Sequence, residues 1–114
     1  MDLTRPGEWV HLIERRLFPE DVRRHFVGQI EAVTERAVRV KGHLFVYDSG
    51  TSQFLMKPEL RTRIVALDNR VIINILPAAI VPEHVQYMRD SDGNLSLTDG
   101  AGFELDISEF GPAE

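Results

Sequence analysis

Apolar and polar positions along the chain follow two different periods. From Trp9 to Leu17 the apolar residues Trp9, Val10, Leu12, Ile13 and Leu17 recur at helical spacing, and His11, Glu14, Arg15 and Arg16 fall on the other side. That period predicts an amphipathic helix over about residues 6–18. Thr4 can cap it, Pro6 suits its first turn, Glu8 favours the positive end of its dipole, and Pro19 stops it. A helix of this length is marginal alone, so its apolar stripe has to dock on a sheet or on a partner. Trp9, Leu12, Ile13 and Arg16 are accordingly the candidate partner-binding residues. Pro19-Glu20-Asp21-Val22 reads as a further short turn of helix.

From His25 the period changes to that of strands. Phe26–Val33 and Ala37–Tyr47 read as two strands joined by Thr34-Glu35-Arg36. Gly28 marks a bulge or a close approach of backbone, and Gly42 lets the second, longer strand bend. Asp48–Ser52 is a small polar loop, followed by the short apolar piece Phe54-Leu55-Met56. Residues 61–76, RTRIVALDNRVIINIL, hold two β-branched runs around Asp68-Asn69-Arg70 and predict a buried hairpin at the centre of the core. Residues 77–84, bounded by Pro77 and Pro82, read as a crossover, and 85–107 as a three-strand meander whose acids face outward. The tail 111–114 is expected to fray. The resulting expectation is one domain of mostly-β α+β class. An N-terminal amphipathic helix packs on a strongly bent antiparallel sheet or partly open small barrel (about 25–76), with a C-terminal β-meander.

Composition narrows the function classes. A chain of 114 residues with 43% hydrophobic and 27% charged content buries a core without staples. There is no cysteine, which removes disulfides, thiolate metal sites and cysteine nucleophiles. No signal-peptide pattern opens the chain and no apolar run reaches a membrane span, so a cytoplasmic, bacterial-type protein is expected. The net charge of −5 conceals an asymmetry: residues 1–70 carry 12 Lys and Arg against 10 acids, whereas residues 71–114 carry Arg89 alone against 8 acids. Such separation suits head-to-tail association or pairing within the fold.

Candidate chemistry is sparse. Asp90-Ser91-Asp92-Gly93-Asn94 spaces oxygen ligands as a calcium loop does, but Leu95 and Ala101 stand where an EF-hand loop needs Gly and Glu. The segment therefore reads as a tight turn. His11, His25, His43 and His84 show no metal-ligand spacing, and none of Ser49, Ser52, Ser91, Ser96 and Ser108 sits in a nucleophile elbow. No cofactor and no metal site is expected. Arg39 and Lys41 share one strand face by the two-residue period, as do Arg61 and Arg63. With Arg36 and Arg70 they form a candidate nucleic-acid-binding stripe beside Tyr47 or Phe54, or a solvated face paired with Glu31, Glu35 or Asp68.

The order of elements over residues 8–76 resembles in layout the Sm-like small barrels, which bind RNA as rings. Val40-Lys41-Gly42 leading to Asp48, and the apolar run Ile64–Leu76, carry the likeness. Asp68-Asn69-Arg70 stands where that family has Arg-Gly or Lys-Gly, and Ser49-Gly50-Thr51-Ser52 replaces its expected asparagine. The meander after Pro82 has no counterpart there. The leading functional expectation is a non-catalytic binding or assembly module, a homo-oligomer or the receiver of a protein partner. A nucleic-acid-binding barrel, and an enzyme with a site assembled around His25, His43 or His84, are the alternatives.

Overall fold

The computed structural model describes residues 3–16, 18, 20 and 22–107. Among these residues there are nine antiparallel strands, and the helical element is a three-residue 3-10 turn at Pro82–His84. Contacts group the chain into two compact units, residues 1–78 and 79–114.

The expected N-terminal helix is absent. Trp9–Glu14 is strand β1, hydrogen-bonded on one side to β2 (Arg24–Val33) and on the other to β6 (Val71–Ile75). The reason lies in its burial. Val10, His11, Leu12 and Ile13 are all at most 2% exposed, so β1 is a central strand covered on both faces. A continuous apolar run of this length satisfies both periods, and the β-branched Val10 and Ile13 with Trp9 favour the extended form once neighbours exist on both sides. The fold is therefore all-β rather than α+β. Pro19, Asp21 and Leu17, and the tail 111–114, lie outside the described residues.

Strand β3 (Ala37–Asp48) organises the first unit. One of its edges pairs with β2 along almost its whole length, from Val38 to Val46. Its other edge is shared: β5 (Arg61–Ala66) takes Ala37–Gly42 and β4 (Gln53–Met56) takes Phe45–Asp48. Sheet order is β4-β3-β2-β1-β6, with β5 beside β4 on β3. The two apolar runs of 61–76 are thus both strands, but not a hairpin. β5 pairs with β3, β6 pairs with β1, and Asp68 ends the first run by accepting the Arg70 N–H at 2.8 Å. Inward-facing Val10, Leu12, Phe26, Ile30, Val38, Val40, Leu44 and Val65 form one buried cluster. Each contributes on the order of 1.5–3 kcal/mol by leaving water. Curl in the sheet comes from two devices. β2 carries a bulge between Ile30 and Ala32, and Gly28 lies directly opposite Gly42. A Cβ on Gly42 would collide with the Val27 carbonyl oxygen and with the Gly28 Cα.

In the second unit β7 (Gln86–Arg89), β8 (Leu95–Thr98) and β9 (Glu104–Asp106) pair in sequence order. Leu95, Leu97 and Ile107 are buried, whereas Glu104 and Asp106 are exposed. Asp90 closes the β7–β8 turn by accepting the N–H groups of Asp92 and Asn94, each at 2.9 Å, the turn reading of that segment. Asp99 is buried and accepts N–H groups from Ala101 at 2.8 Å and Val81 at 3.1 Å, which hold its carboxyl below the usual range.

The glycine crossing gives a direct test. Gly42→Ala is expected to lower stability by about 2 kcal/mol or more, because the obstructing atoms are backbone and cannot swing away. Gly50→Ala, whose Cβ meets only the Asp48 carboxylate at 3.4 Å, is expected to stay within about 0.5 kcal/mol of the parent, apart from backbone entropy. Urea denaturation of the two variants checks this; equal midpoints would contradict it.

Candidate functional site

Three strands of the first unit, β4, β5 and β6, have an outer edge without a strand partner among the described residues. Alternation fixes which main-chain groups point outward. Leu76 donates its N–H to the Trp9 carbonyl and Arg15 donates to the Arg70 carbonyl, both toward β1. Period two then directs the N–H and C=O of Ile72 and Asn74 to β1, and those of Val71, Ile73 and Ile75 away from it. Val71 donates to the Asp68 carbonyl at 3.4 Å, whereas no main-chain hydrogen bond among the described residues uses the outward groups of Ile73 and Ile75. By the same reasoning Leu67 donating to the Arg36 carbonyl places Thr62, Ile64 and Ala66 on the outward edge of β5. Because β5 and β6 do not pair, the sheet curls without closing, and a seam remains between them.

The seam is apolar beside β6 and polar beside β5. A cavity of about 670 Å³ is lined by Val33, Leu67, Val71, Ile73, Ile75 and Leu3, with Thr4, Thr34 and Glu35 completing its wall. Leu3 is 87% exposed and Ile75 48% exposed, so apolar surface is left facing water there. Toward β5, Arg63 reaches across to Glu14 at 3.7 Å, and its guanidinium lies 5.9 Å from the centre of the Phe26 ring. Both members of this ion pair are about one-third exposed, so it contributes on the order of 0–1 kcal/mol.

The structure does not assemble the candidate arginine stripe. Register sets Arg39 opposite Ile64 and Lys41 opposite Thr62, on the outer face of β3 and β5. Arg61 and Arg63 lie opposite Gly42 and Val40, on the inward face, with Arg61 pairing Glu59 at 3.6 Å. Arg36 and Arg70 sit in turns, and their carbonyls anchor the neighbouring chain. The six cations therefore divide between two faces and two loops. Of the candidate partner-binding residues, Leu12 and Ile13 are buried in the centre of the sheet on opposite faces, Trp9 is half-buried and Arg16 half-buried beyond the strand.

Two of the four histidines converge. His11 on β1 and His25 on β2 face the same side of the sheet, and both are buried. The Asn74 Nδ2–H donates to His11 Nδ1 at 3.2 Å, which places the His11 proton on Nε2. That N–H donates to His25 Nδ1 at 3.1 Å, so His25 carries its proton on Nε2 as well. The His25 ring also lies 4.4 Å from Phe54, which meets Tyr47 edge-on at 5.3 Å, and the Arg23 guanidinium covers Tyr47 at 4.5 Å. Burial, and then repulsion from the neighbouring imidazole, lowers His11 to about 3; burial, and then Arg23, lowers His25 to about 4. His43 lies on β3 opposite Val27, and His84 belongs to the second unit. Among the described residues no group of three or more His, Asp or Glu side chains is placed to hold a metal, and no helix is long and apolar enough to cross a membrane. Spacing in the sequence gave no sign of the His11–His25 pair, which depends on the β1–β2 register.

No family model, no curated protein and no solved structure matches the chain. The N-terminal helix and the hairpin over Ile64–Leu76, on which the likeness in layout to Sm-like barrels rested, are both absent, and the likeness carries no function with it.

The histidine pair gives stability a definite pH dependence. Both rings are neutral when folded, and once unfolded they bind protons below their ordinary value of 6.5. Their contribution is complete above about pH 6.5 and is lost as pH falls toward about 4 and then about 3. Urea denaturation between about pH 7.5 and about pH 4.5 is expected to show a steeper loss in the parent than in a His11→Leu, His25→Leu double variant. Parallel slopes would contradict the buried neutral pair.

Proposed function

We propose that the protein is a non-catalytic binding and assembly domain that receives an extended strand at its open edge. One observation carries the reading. β6 directs main-chain groups of Ile73 and Ile75 that no strand pairs outward beside a cavity whose β6 wall is apolar along the strand. An edge of this sort offers main-chain hydrogen bonds for affinity and an alternating apolar row for specificity, the two components of strand addition. Natural proteins commonly blunt such an edge with lysine, proline or a bulge; β6, with the sequence VIINI, carries none of these. The arrangement of side chains points the same way. Both ring nitrogens of His11 are taken, by Asn74 and by His25 Nδ1, which makes the pair a brace for β1, β2 and β6. The division of the arginines between faces weighs against a nucleic-acid track, which needs its cations on one continuous surface. A cytoplasmic setting, which a cysteine-free chain permits, goes with this reading.

Amide hydrogen exchange tests the proposal. In dilute protein the amides of Ile73 and Ile75 are expected to exchange quickly, while those of Ile72 and Asn74, bonded to β1, are protected. Adding an excess of a synthetic peptide spanning residues 70–76, or raising the protein concentration, is expected to protect Ile73 and Ile75 selectively. If both amides stay unprotected under both conditions, the edge is not a binding site.

A further inference from the structure

We infer that the occupant of this edge is a second copy of the same chain, joined as an antiparallel β6–β6 pair on a two-fold axis at Ile73. The inference rests on the strand-edge reading above and specifies its partner and register. A two-fold antiparallel pair sets outward main-chain groups against one another whether its axis falls on an outward residue or on the residue between two of them. The choice of axis therefore turns on how much of the strand is paired. An axis at Ile73 overlaps all five residues of β6. Val71, Ile73 and Ile75 are the outward residues, so pairing Ile73 with Ile73 of the second copy also sets Val71 against Ile75 at both ends. In that register the Ile73 groups and the Ile75 N–H find partners, and the Val71 N–H reaches the Ile75 carbonyl of the second copy by giving up its 3.4 Å bond to Asp68. An axis at Asn74 would instead set Val71 against Pro77, which has no N–H.

Charge selects the same partner. A two-fold axis brings identical surfaces together, so any charge on the strand would face its own sign. Residues 71–82 are the longest stretch of the chain without Asp, Glu, Lys or Arg, and β6 lies wholly inside it. By contrast β5 carries Arg61 and Arg63, with Arg63 already committed to Glu14, and β4, the third open edge, is a four-residue strand ended by Lys57-Pro58. The side chains match as well. Val71, Ile73 and Ile75 form the inward row that lines the cavity, and the two-fold continues that row into the second copy. A five-residue strand pair buries less than the roughly 1,200–2,000 Å² of a stable interface. Exposed Leu3 and Leu67, on the rim of the same cavity, supply the additional apolar contact.

The test uses the full chain, which contains no cysteine, so that a single introduced thiol is unique. In a hydrogen-bonded antiparallel pair the two Cα atoms stand about 5.5 Å apart, within disulfide range. Ile73→Cys is therefore expected to give a covalent dimer under mild oxidation, and Thr62→Cys, on the β5 edge, to remain unlinked. Light scattering of the parent is expected to return twice the chain mass, and Ile75→Lys to weaken that dimer by about tenfold or more. A Thr62→Cys, Ile73→Cys double variant that cross-links while neither single variant does would overturn the inference in favour of β5–β6 contacts between copies. A monomeric parent that still binds the 70–76 peptide would overturn it while leaving the strand-edge reading intact. A monomer that binds no peptide would remove both.

Discussion

The first unit depends on the close crossing of β2 and β3 at Gly28 and Gly42. Each glycine occupies a position where a side chain would strike the backbone of the facing strand. Without that approach the 12-residue β3 would run straight, and β5 and β4 could not both dock on its second edge. The bend also turns Val38 and Val40 inward above Phe26 and Ile30, where they complete the buried cluster. Sheet curvature, core and shared edge thus follow from one steric condition at two residues.

Curling without closing leaves the seam. β5 and β6 are consecutive in sequence, yet each is committed to a different strand, so the four-residue link 67–70 has to cross between them rather than reverse the chain. Asp68 performs this by holding the Arg70 N–H, and the two ends of the link are tied by the Leu67 N–H donating to the Arg36 carbonyl and by the Arg70 carbonyl accepting from Arg15. What stands across the seam is the Arg63–Glu14 ion pair, which is part-exposed and weak. The buried Asn74–His11–His25 chain supplies rigidity on the other face. It ties β6 to β1 and β2 through side chains and leaves the outward main-chain groups of β6 unaffected.

Much of the strand content is legible in the sequence, because β-branched residues and period-two stretches mark Phe26–Val33, Ala37–Tyr47 and both runs of 61–76. Gly42 is legible as a bend because it is the one glycine within a long predicted strand. Two things are not legible. The run Trp9–Ile13 is apolar on both faces, so periodicity assigns it to a helix, and only the presence of β2 and β6 on either side decides for a strand. Strand partnership is the other: nothing in Asp68-Asn69-Arg70 says whether the flanking strands pair with each other or with β3 and β1. The candidate stripe fails through this gap. Arg39 with Lys41 and Arg61 with Arg63 each keep a common face, but register sets the two pairs on opposite sides. The charge asymmetry, by contrast, follows the structure closely, since the acidic segment coincides with the second unit.

The account stands on β5 and β6 having different partners, and cross-strand Hα–Hα contacts measured by nuclear magnetic resonance test this most directly. Such contacts are shortest in the non-hydrogen-bonded pairs of an antiparallel ladder. The account predicts them between Leu12 and Ile73, between Val10 and Ile75, and between Arg39 and Ile64. Contacts between residues 62–66 and 71–75 in their place would mean that the two runs form a hairpin, that β6 has no open edge, and that the account is wrong.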